Sequence, residues 1–283
     1  MMKSPIKYYG GKFYQAAWIL DMIKHYKFKT YIEPFGGSGA ILFAKEPSPV
    51  EIYNDIYSDL VTFYRVLRHP KTHKELIRFL EHSPYSRELF GESKEVLSNK
   101  KLSAVERAGH FFIVVRQSFL SIRNGWSSSG KVGKSKSTPY RNAIDRLPEV
   151  HERLKHVHIE HKDAIDCIKH YADSKSLIYC DPPYVFGTRV SPEAYKHEYT
   201  DEQHKQLIET LLTVPGHKIL SGYQSSIYEP LLDAGWTLHQ KQFTCYASPN
   251  KKNRRTECLY CSPPDTITQE IHHEHELFSG MGQ

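Results

Sequence analysis

The eight residues from Leu177 to Tyr184 constrain the fold of this chain more than any others. A short apolar, β-favouring run ends abruptly in Asp181, Pro182, Pro183 and Tyr184. Such a run predicts a buried parallel strand, and the prolines must leave the sheet because proline cannot donate to the ladder. Open α/β sheets bind ligands at the carboxyl ends of such strands. We therefore predict a binding site here; an ordinary proline-rich turn is the alternative.

The groups of this turn suit a planar base that carries an amine. The carboxylate of Asp181 and the carbonyl of Pro182 can accept two N–H bonds, and the ring of Tyr184 can stack on the face of the base. We therefore expect the turn to hold the reacting group of a substrate.

A second signal, in residues 30–44, favours a nucleotide-like ligand. Residues 30–33 read as a strand, followed by the glycine-rich turn 34–39 and a helix over 40–44, an order that lets the backbone approach such a ligand. Residues 50–55 form a second predicted strand that ends in Asp55. An acid at that point can bind the hydroxyl pair of a ribose, although it could also cap the following helix.

Apolar periodicity predicts most of the remaining elements. Helices are expected over residues 14–26, 58–82, 104–121, 164–171, 201–212 and 227–232. Strands are expected over 157–160 and 218–223, with two antiparallel edge strands over 236–245 and 256–261, separated by the basic residues 251–255. Asp163 precedes the helix at 164, where it can serve either as the helix cap or as a ligand contact.

Charge is unevenly distributed along the 283 residues. The segment 62–155 has 19 Lys and Arg against 9 Asp and Glu, whereas the whole chain has a net charge of +6, so the flanking parts are net acidic. No acidic residue lies between Glu106 and Asp145, and the glycine-bounded centre of this stretch contains Trp126. This pattern is typical of a surface that contacts the phosphates of a nucleic acid; a solvated basic loop is the alternative.

Cysteine and metal chemistry receive little support from the sequence. The five cysteines show no disulfide-like spacing, which fits a reducing compartment. Cys258 and Cys261 resemble a zinc pair, but residues three apart on a strand point to opposite faces. The histidines near residue 273 are better explained as a terminal tail. We therefore expect no metal site. With no apolar signal region or membrane-length run, we expect a cytoplasmic protein of bacterial, phage or prophage origin.

Taken in order, these stretches make the chain resemble the Dam-like class of DNA adenine-N6 methyltransferases. The matching stretches are residues 7–12, 33–39, 54–55 with 58–60, 163 and 181–184, with weaker matches at 221–223 and 257–263. The resemblance implies an α/β, Rossmann-like S-adenosylmethionine-dependent methyltransferase sheet with an inserted, mainly helical DNA-recognition domain. Residues 1–61 and 156–265 would form the catalytic domain, 62–155 the recognition domain and 266–283 a tail.

The resemblance also implies roles for individual residues. Asp181, Pro182 and Tyr184 would be catalytic, Asp55 would bind the ribose of the cofactor, and Asp163 its adenine. The full set of implied cofactor contacts is Tyr8, Lys12, Phe35, Gly36, Gly37, Gly39, Asp55, Asp163 and Asp181. DNA would be contacted by the residues Lys7, Arg116, Arg123, Asn124, Trp126, Lys131, Lys134, Lys136 and Arg141.

The function implied is site-specific transfer of a methyl group from S-adenosylmethionine to a flipped adenine in duplex DNA. A cognate restriction endonuclease acting on the same site would be a natural partner, but a solitary enzyme is equally compatible. Residues 127–137 depart from the hairpin of GATC-specific relatives, so the target sequence stays open. The alternatives are a cytosine-N4 methyltransferase, an RNA or protein methyltransferase, and a non-catalytic DNA-binding module on the same frame.

Overall fold

The computed structural model describes residues 2–7, 11–99, 101–119, 125–128, 135–185, 198–248 and 251–264, with the backbone alone for 244–248 and 251–253. Its centre is a seven-stranded sheet in the order β3-β2-β1-β4-β5-β7-β6. The strands are β1 (Thr30–Glu33), β2 (Val50–Asn54), β3 (Val157–Glu160), β4 (Ser176–Cys180), β5 (His217–Gly222), β6 (Thr237–Ser248) and β7 (Lys251–Cys261).

The first five strands are parallel, and β7 runs antiparallel between β5 and β6. From β1 the chain builds the sheet outward through β2 and β3, and from β4 it builds in the opposite direction through β5. The strand order therefore reverses between β1 and β4, and a crevice opens at the carboxyl ends of these two strands.

Helices cover both faces of the sheet. They are α1 (Ala16–Ile23), α2 (Ala40–Ala44), α3 (Ser58–Arg68), α4 (Thr72–Glu81), α5 (Arg87–Val96), α6 (Ala104–Gln117), α7 (Ser137–Asp145), α8 (Leu147–Leu154), α9 (Ala164–Tyr171), α10 (Asp201–Thr213) and α11 (Glu229–Asp233). Alternate strand residues separate two cores: Leu177 and Tyr179 face α1–α8, whereas Ile178 and Cys180 face α9–α11. All five residues of β4 are buried, as predicted for a central parallel strand.

Sequence patterns located most elements correctly. The strand at 30–33 and the helix at 40–44 are confirmed as predicted, and the helices at 58–82 are α3 and α4. The prediction of two edge strands was wrong for the second: β7 lies inside the sheet, paired on both sides. Residues 251–255 belong to β7 instead of separating two strands. Cys258 and Cys261 do face opposite cores.

Helices α5, α7 and α8 were not predicted from the sequence, and the expected helix at 227–232 begins as a 3₁₀ turn (Ser226–Tyr228) before α11. Helices α3, α4, α6, α7 and α8 share one apolar cluster with residues of α1 and of the sheet. The boundary expected at residue 62 falls within α3, so the two-domain division stays a prediction. None of the described helices combines the length and apolar character needed to cross a bilayer.

Candidate active site

A cleft of about 450 Å³ lies at the carboxyl ends of β1, β2 and β4, at the point where the strand order reverses. Asn54, the last residue of β2, holds the floor of this cleft together. Its side-chain nitrogen Nδ2 donates to the backbone carbonyls of Pro34 (2.9 Å) and Lys162 (3.1 Å). Its side-chain oxygen Oδ1 accepts from the backbone N–H of Lys162 (2.9 Å). The loops that follow β1, β2 and β3 are therefore fixed to one side chain.

The glycine-rich turn after β1 is formed by close contacts with β2. Gly37 and Gly39 have positive φ (49° and 65°), a conformation that favours glycine. The N–H of Gly37 donates to one carboxylate oxygen of Asp55, and the N–H of Tyr57 to the other, both at 2.8 Å. Asp55 thus joins the glycine turn to the segment before α3, and it lines the cleft as predicted.

The opposite wall of the cleft is partly aromatic. Phe35 meets Tyr199 edge to face, with ring centroids 5.4 Å apart. Asp163 is exposed at the rim, and its carboxylate accepts from the N–H groups of Ile165 (2.8 Å) and Asp166 (3.4 Å). Asp163 is therefore the N-cap of α9 and also lines the cleft, so its role as a cap is confirmed and its contact with a ligand stays a prediction.

Asp181 lies directly after β4, and its nearest charged partner is Lys12 from the segment before α1. The Lys12 ammonium is 2.7 Å from Asp181 Oδ1 and 4.7 Å from the centroid of the Tyr184 ring. Burial raises the pKa of Asp181 to about 6, against the opposing effect of the Lys12 charge. Near neutral pH the turn therefore presents an ionised carboxylate beside an aromatic face.

A second carboxyl group, that of Glu33 at the end of β1, lines the same cleft. Unlike Asp181, it is mostly protonated near neutral pH. Burial raises its pKa to about 8, although Tyr31 and the N–H of Leu42 donate to its Oε2 at 3.0 and 3.1 Å. The negative charge of Asp181 raises the pKa of Glu33 further. Near pH 7 Glu33 is predominantly neutral and Asp181 carries the negative charge.

Tyr184 is held in place by one residue of β7 and by the residue that follows β5. Its hydroxyl donates to Oε2 of Glu257 at 2.8 Å, and its ring meets Tyr223 edge to face at 4.7 Å. The Tyr223 hydroxyl in turn lies 3.2 Å from Nη1 of Arg255. Glu257 and Tyr223 belong to the two stretches with weaker family matches, and the structure places both against the predicted catalytic turn.

Among the described residues, the predicted DNA contacts Arg116 and Arg141 lie on helices α6 and α7. Arg116 and Arg141 donate to backbone carbonyls, of Pro139 at 2.6 Å and of Glu81 at 2.7 Å, and so help to hold α7 in place. Trp126 forms an antiparallel bridge with Ser118, and the Arg87 guanidinium lies 5.0 Å from its ring. Tyr8, Arg123, Asn124, Lys131 and Lys134 lie outside the described residues.

Two of the remaining predicted contacts come together in space. Lys7 precedes α1 in the chain, whereas Lys136 directly precedes α7. Partial burial, and then the nearby positive charges of Arg116 and Lys136, lower the pKa of Lys7. A shift of this kind requires both cations to lie close enough to Lys7 to act on its charge. We call Lys7, Arg116 and Lys136 the positive cluster; they come from three separate parts of the chain.

Sequence reasoning did not identify several residues that line the cleft or support the turn. Glu33, Asn54, Lys162, Tyr199 and Gln203 line the cleft, although Glu33 and Asn54 stood within stretches already recognised. A polar residue that ends an otherwise apolar strand was the available signal for both. Tyr199 and Gln203 have no comparable local signal, because their positions follow from the packing of α10 against the sheet.

Comparison with known proteins points in one direction. The profile of the D12 class of N6 adenine-specific DNA methyltransferases matches residues 8–244. The Type II methyltransferase M.CviBI of Paramecium bursaria Chlorella virus NC1A is 25% identical over 187 residues, covering 65% of this chain and 69% of that protein. The DNA adenine methylase of Escherichia coli (strain K12) is 27% identical over 223 residues, covering 72% of this chain and 73% of its own.

Among solved structures, a precorrin-6y C5,15-methyltransferase from Geobacter metallireducens GS-15 aligns over 88% of this chain and 87% of its own. The identity is 8% and the TM-score 0.37, so nothing is inferred from this likeness.

Proposed function

The chain belongs to the D12 class of N6 adenine-specific DNA methyltransferases, and we propose that it uses S-adenosylmethionine to methylate an adenine turned out of duplex DNA. The observation that carries the proposal is the position of the Lys12 ammonium. This amine donates to the carboxylate of Asp181 while lying over the ring of Tyr184. The turn after β4 is therefore built to hold an amine between an acceptor and an aromatic face, as the N6 group of adenine requires.

The cleft fits the proposed cofactor in size and chemistry. A volume of about 450 Å³ lies within the range of small-molecule sites. Asp55, Phe35 and Asp163 all line the cleft; in this proposal Asp55 binds the ribose, and Phe35 and Asp163 contact the adenine ring. The hydroxyl of Tyr199 is buried in the wall and has no hydrogen-bond partner among the described residues. A bound ligand would satisfy this hydroxyl.

When bound, S-adenosylmethionine supplies an electrophilic methyl group on a sulfonium. The residues of the chain would then orient the amine that receives it. Asp181 and the carbonyl of Pro182 accept hydrogen bonds from the two N–H groups, which favours the positive charge that develops on nitrogen. Tyr184 holds the base by stacking, worth roughly 1–3 kcal/mol. As the nitrogen gains the methyl group it releases one proton, for which the adjacent carboxylate is the nearest acceptor.

The test is the variant Asp181→Asn, which keeps the volume of the side chain and one acceptor oxygen for Lys12 but removes the charge. We expect the single-turnover rate of N6-methyladenine formation, measured by mass spectrometry of digested DNA, to fall about 10²–10³-fold. DNA affinity and melting temperature should stay close to wild type. The control is Asp233→Ala, which removes an exposed acid at the end of α11. A rate near wild type for Asp181→Asn, or N4-methylcytosine as the product, would contradict the proposal.

A further inference from the structure

His204 is a fully buried side chain in the first turn of α10, and it contacts the predicted catalytic turn. Its Nε2 lies 3.1 Å from the carbonyl oxygen of Pro183, and its Nδ1 lies 3.2 Å from the hydroxyl of Tyr228. A carbonyl can only accept, so Nε2 carries the proton and donates to Pro183. In a neutral imidazole Nδ1 is then an acceptor, and the Tyr228 hydroxyl donates to it. Of the two neutral tautomers, these partners select the one with its proton on Nε2.

The hydrogen bond from His204 to Pro183 constrains ψ of Pro183, the one backbone torsion of this residue that the proline ring does not fix. Between the peptide plane that carries the Pro182 carbonyl and the Cα of Tyr184, the chain can rotate only about φ and ψ of Pro183. The pyrrolidine ring sets φ of Pro183. No covalent ring restricts ψ of Pro183. This torsion decides where the Pro183 carbonyl points, and the hydrogen bond from His204 holds that carbonyl in place.

His204 is not required to begin its own helix. Thr200 and Gln203 form a capping box, in which the Thr200 hydroxyl accepts from the N–H of Gln203 (3.2 Å) and the Gln203 amide oxygen accepts from the N–H of Thr200 (2.9 Å). The start of α10 is therefore fixed without the imidazole. Burying a polar ring is unfavourable unless its nitrogens are paired, and here both nitrogens are paired, one of them with the turn.

We propose that His204, oriented by Tyr228, is a positioning residue for methyl transfer. By holding the carbonyl of Pro183 it fixes the position of the Tyr184 Cα relative to the Pro182 acceptor, and with it the place from which the Tyr184 ring reaches the target amine. This inference rests on the proposed roles of Asp181, Pro182 and Tyr184. Misplacement of a reacting group by about 1 Å can lower a rate by 10²-fold, so the chemical step should be far more sensitive to His204 than ligand binding is.

The experiment compares His204→Leu with His204→Gln under single-turnover conditions on one DNA duplex. Leucine removes the donor, and we expect the methylation rate to fall roughly 10–100-fold, while the dissociation constants for DNA and for S-adenosylmethionine change less than about threefold. Glutamine carries an N–H donor the same number of bonds from Cβ, so His204→Gln should recover most of the rate. A purely structural role would instead lower the melting temperature of both variants and leave the rate of the folded fraction unchanged.

Tyr228→Phe tests the same network with a smaller change, and it decides the question if His204→Leu does not fold. Without the hydroxyl the imidazole can move its proton to Nδ1, so the rate should fall several-fold. His151→Leu is the matched control, because His151 is also buried and its Nδ1 lies 2.8 Å from the carbonyl of Leu67, away from the cleft. It should lose stability but keep its rate.

The outcomes separate this inference from the proposed function. A wild-type rate in folded His204→Leu, or in Tyr228→Phe where the first variant does not fold, overturns the positioning role. If Asp181→Asn loses activity in the same assay, the proposed function stands while the positioning role is rejected. If Asp181→Asn also keeps its activity, the proposed function itself is wrong.

Discussion

At the scale of single residues, the site depends on opposing effects on one carboxyl group. Burial disfavours the charged form of Asp181, and the ammonium of Lys12 at 2.7 Å favours it. The balance leaves a pKa of about 6, so the group is largely ionised at neutral pH but close to its midpoint in mild acid. The same ammonium lies over Tyr184, in the place proposed for the target amine, and must give way when that amine binds.

The pH dependence of the reaction follows from this balance. An ionised Asp181 is required to accept from the amine, so the single-turnover rate should rise with pH through about 6 and then level off. Lys12→Met removes a charge that lowers the pKa of Asp181, so the pKa should increase. The acid limb of the pH–rate profile should therefore move to higher pH, whatever happens to the maximal rate.

Lys12→Arg is the control for this prediction, since it keeps the positive charge and should move the limb less than Lys12→Met does. An acid limb at the same pH in wild type and in Lys12→Met would show that Asp181 does not control the profile.

At the scale of elements, the glycine turn between β1 and α2 is shaped by β2 as much as by its own sequence. The ring of Tyr53 lies so close to Gly36 that an added Cβ would be 2.2 Å from Tyr53 Cε2. The hydroxyl of the same tyrosine donates to the carbonyl of Gly37 at 2.7 Å. Gly36 is therefore needed for a close approach between strand and turn, and the turn cannot move away without breaking the bond from Tyr53.

Gly36→Ala should consequently destabilise the protein by about 1–3 kcal/mol through overpacking and weaken binding of S-adenosylmethionine. Gly91→Ala is the matched control: Gly91 is exposed in α5, and an added Cβ would meet nothing within 4 Å. Replacing a glycine inside a helix should stabilise by about 0.5–1 kcal/mol. Thermal unfolding and cofactor titration measure both effects. Equal melting temperatures for the two variants would show that the turn can shift away from Tyr53.

At the scale of the whole molecule, positive charge from distant parts of the chain is gathered on one side. Lys7 lies before α1, Arg116 is in the last turn of α6 and Lys136 precedes α7, yet the charges of Arg116 and Lys136 both act on Lys7. Arg116 also bonds to Pro139, so it connects α6 with α7. A cluster of this kind is unfavourable in isolation, and a polyanion such as DNA relieves the repulsion.

We therefore expect the double variant Lys7→Ala with Lys136→Ala to bind duplex DNA with a weaker salt dependence. If each lysine neutralises one phosphate, the slope of log affinity against log salt should become less negative by about 1.8. Melting temperature should change little, because neither side chain belongs to the buried core. The measurement is fluorescence anisotropy on one duplex over a series of salt concentrations.

The control for the salt series is Lys155→Ala with Lys205→Ala. Each of these lysines already lies near a glutamate three residues earlier in its helix, and neither belongs to the positive cluster. Coincident slopes for wild type and the Lys7 and Lys136 variant would mean that this cluster does not contact phosphates.

How much could be predicted from the sequence depended on whether the signal was local. The ends of β1, β2 and β4 could be located because each apolar run stops at an acid, an amide, a glycine turn or a proline pair. Each of these residues marks the end of a strand directly beside it in the chain. Helices α7 and α8 were missed because they are short amphipathic segments joined at Arg146, and α7 falls at the end of the acid-free stretch for which a loop was one interpretation.

The sequence by itself therefore determined where the predicted strands end in polar residues and in which order those ends follow along the chain. The family resemblance and the candidates Asp55, Asp163 and Asp181 came from that order. Only the tertiary structure decided which side chains complete the site. Glu257 meets Tyr184 across 73 residues of sequence, and His204 meets Pro183 across 21. Such contacts depend on how β7 and α10 pack against the end of β4, and periodicity within one segment carries no information about its distant neighbours.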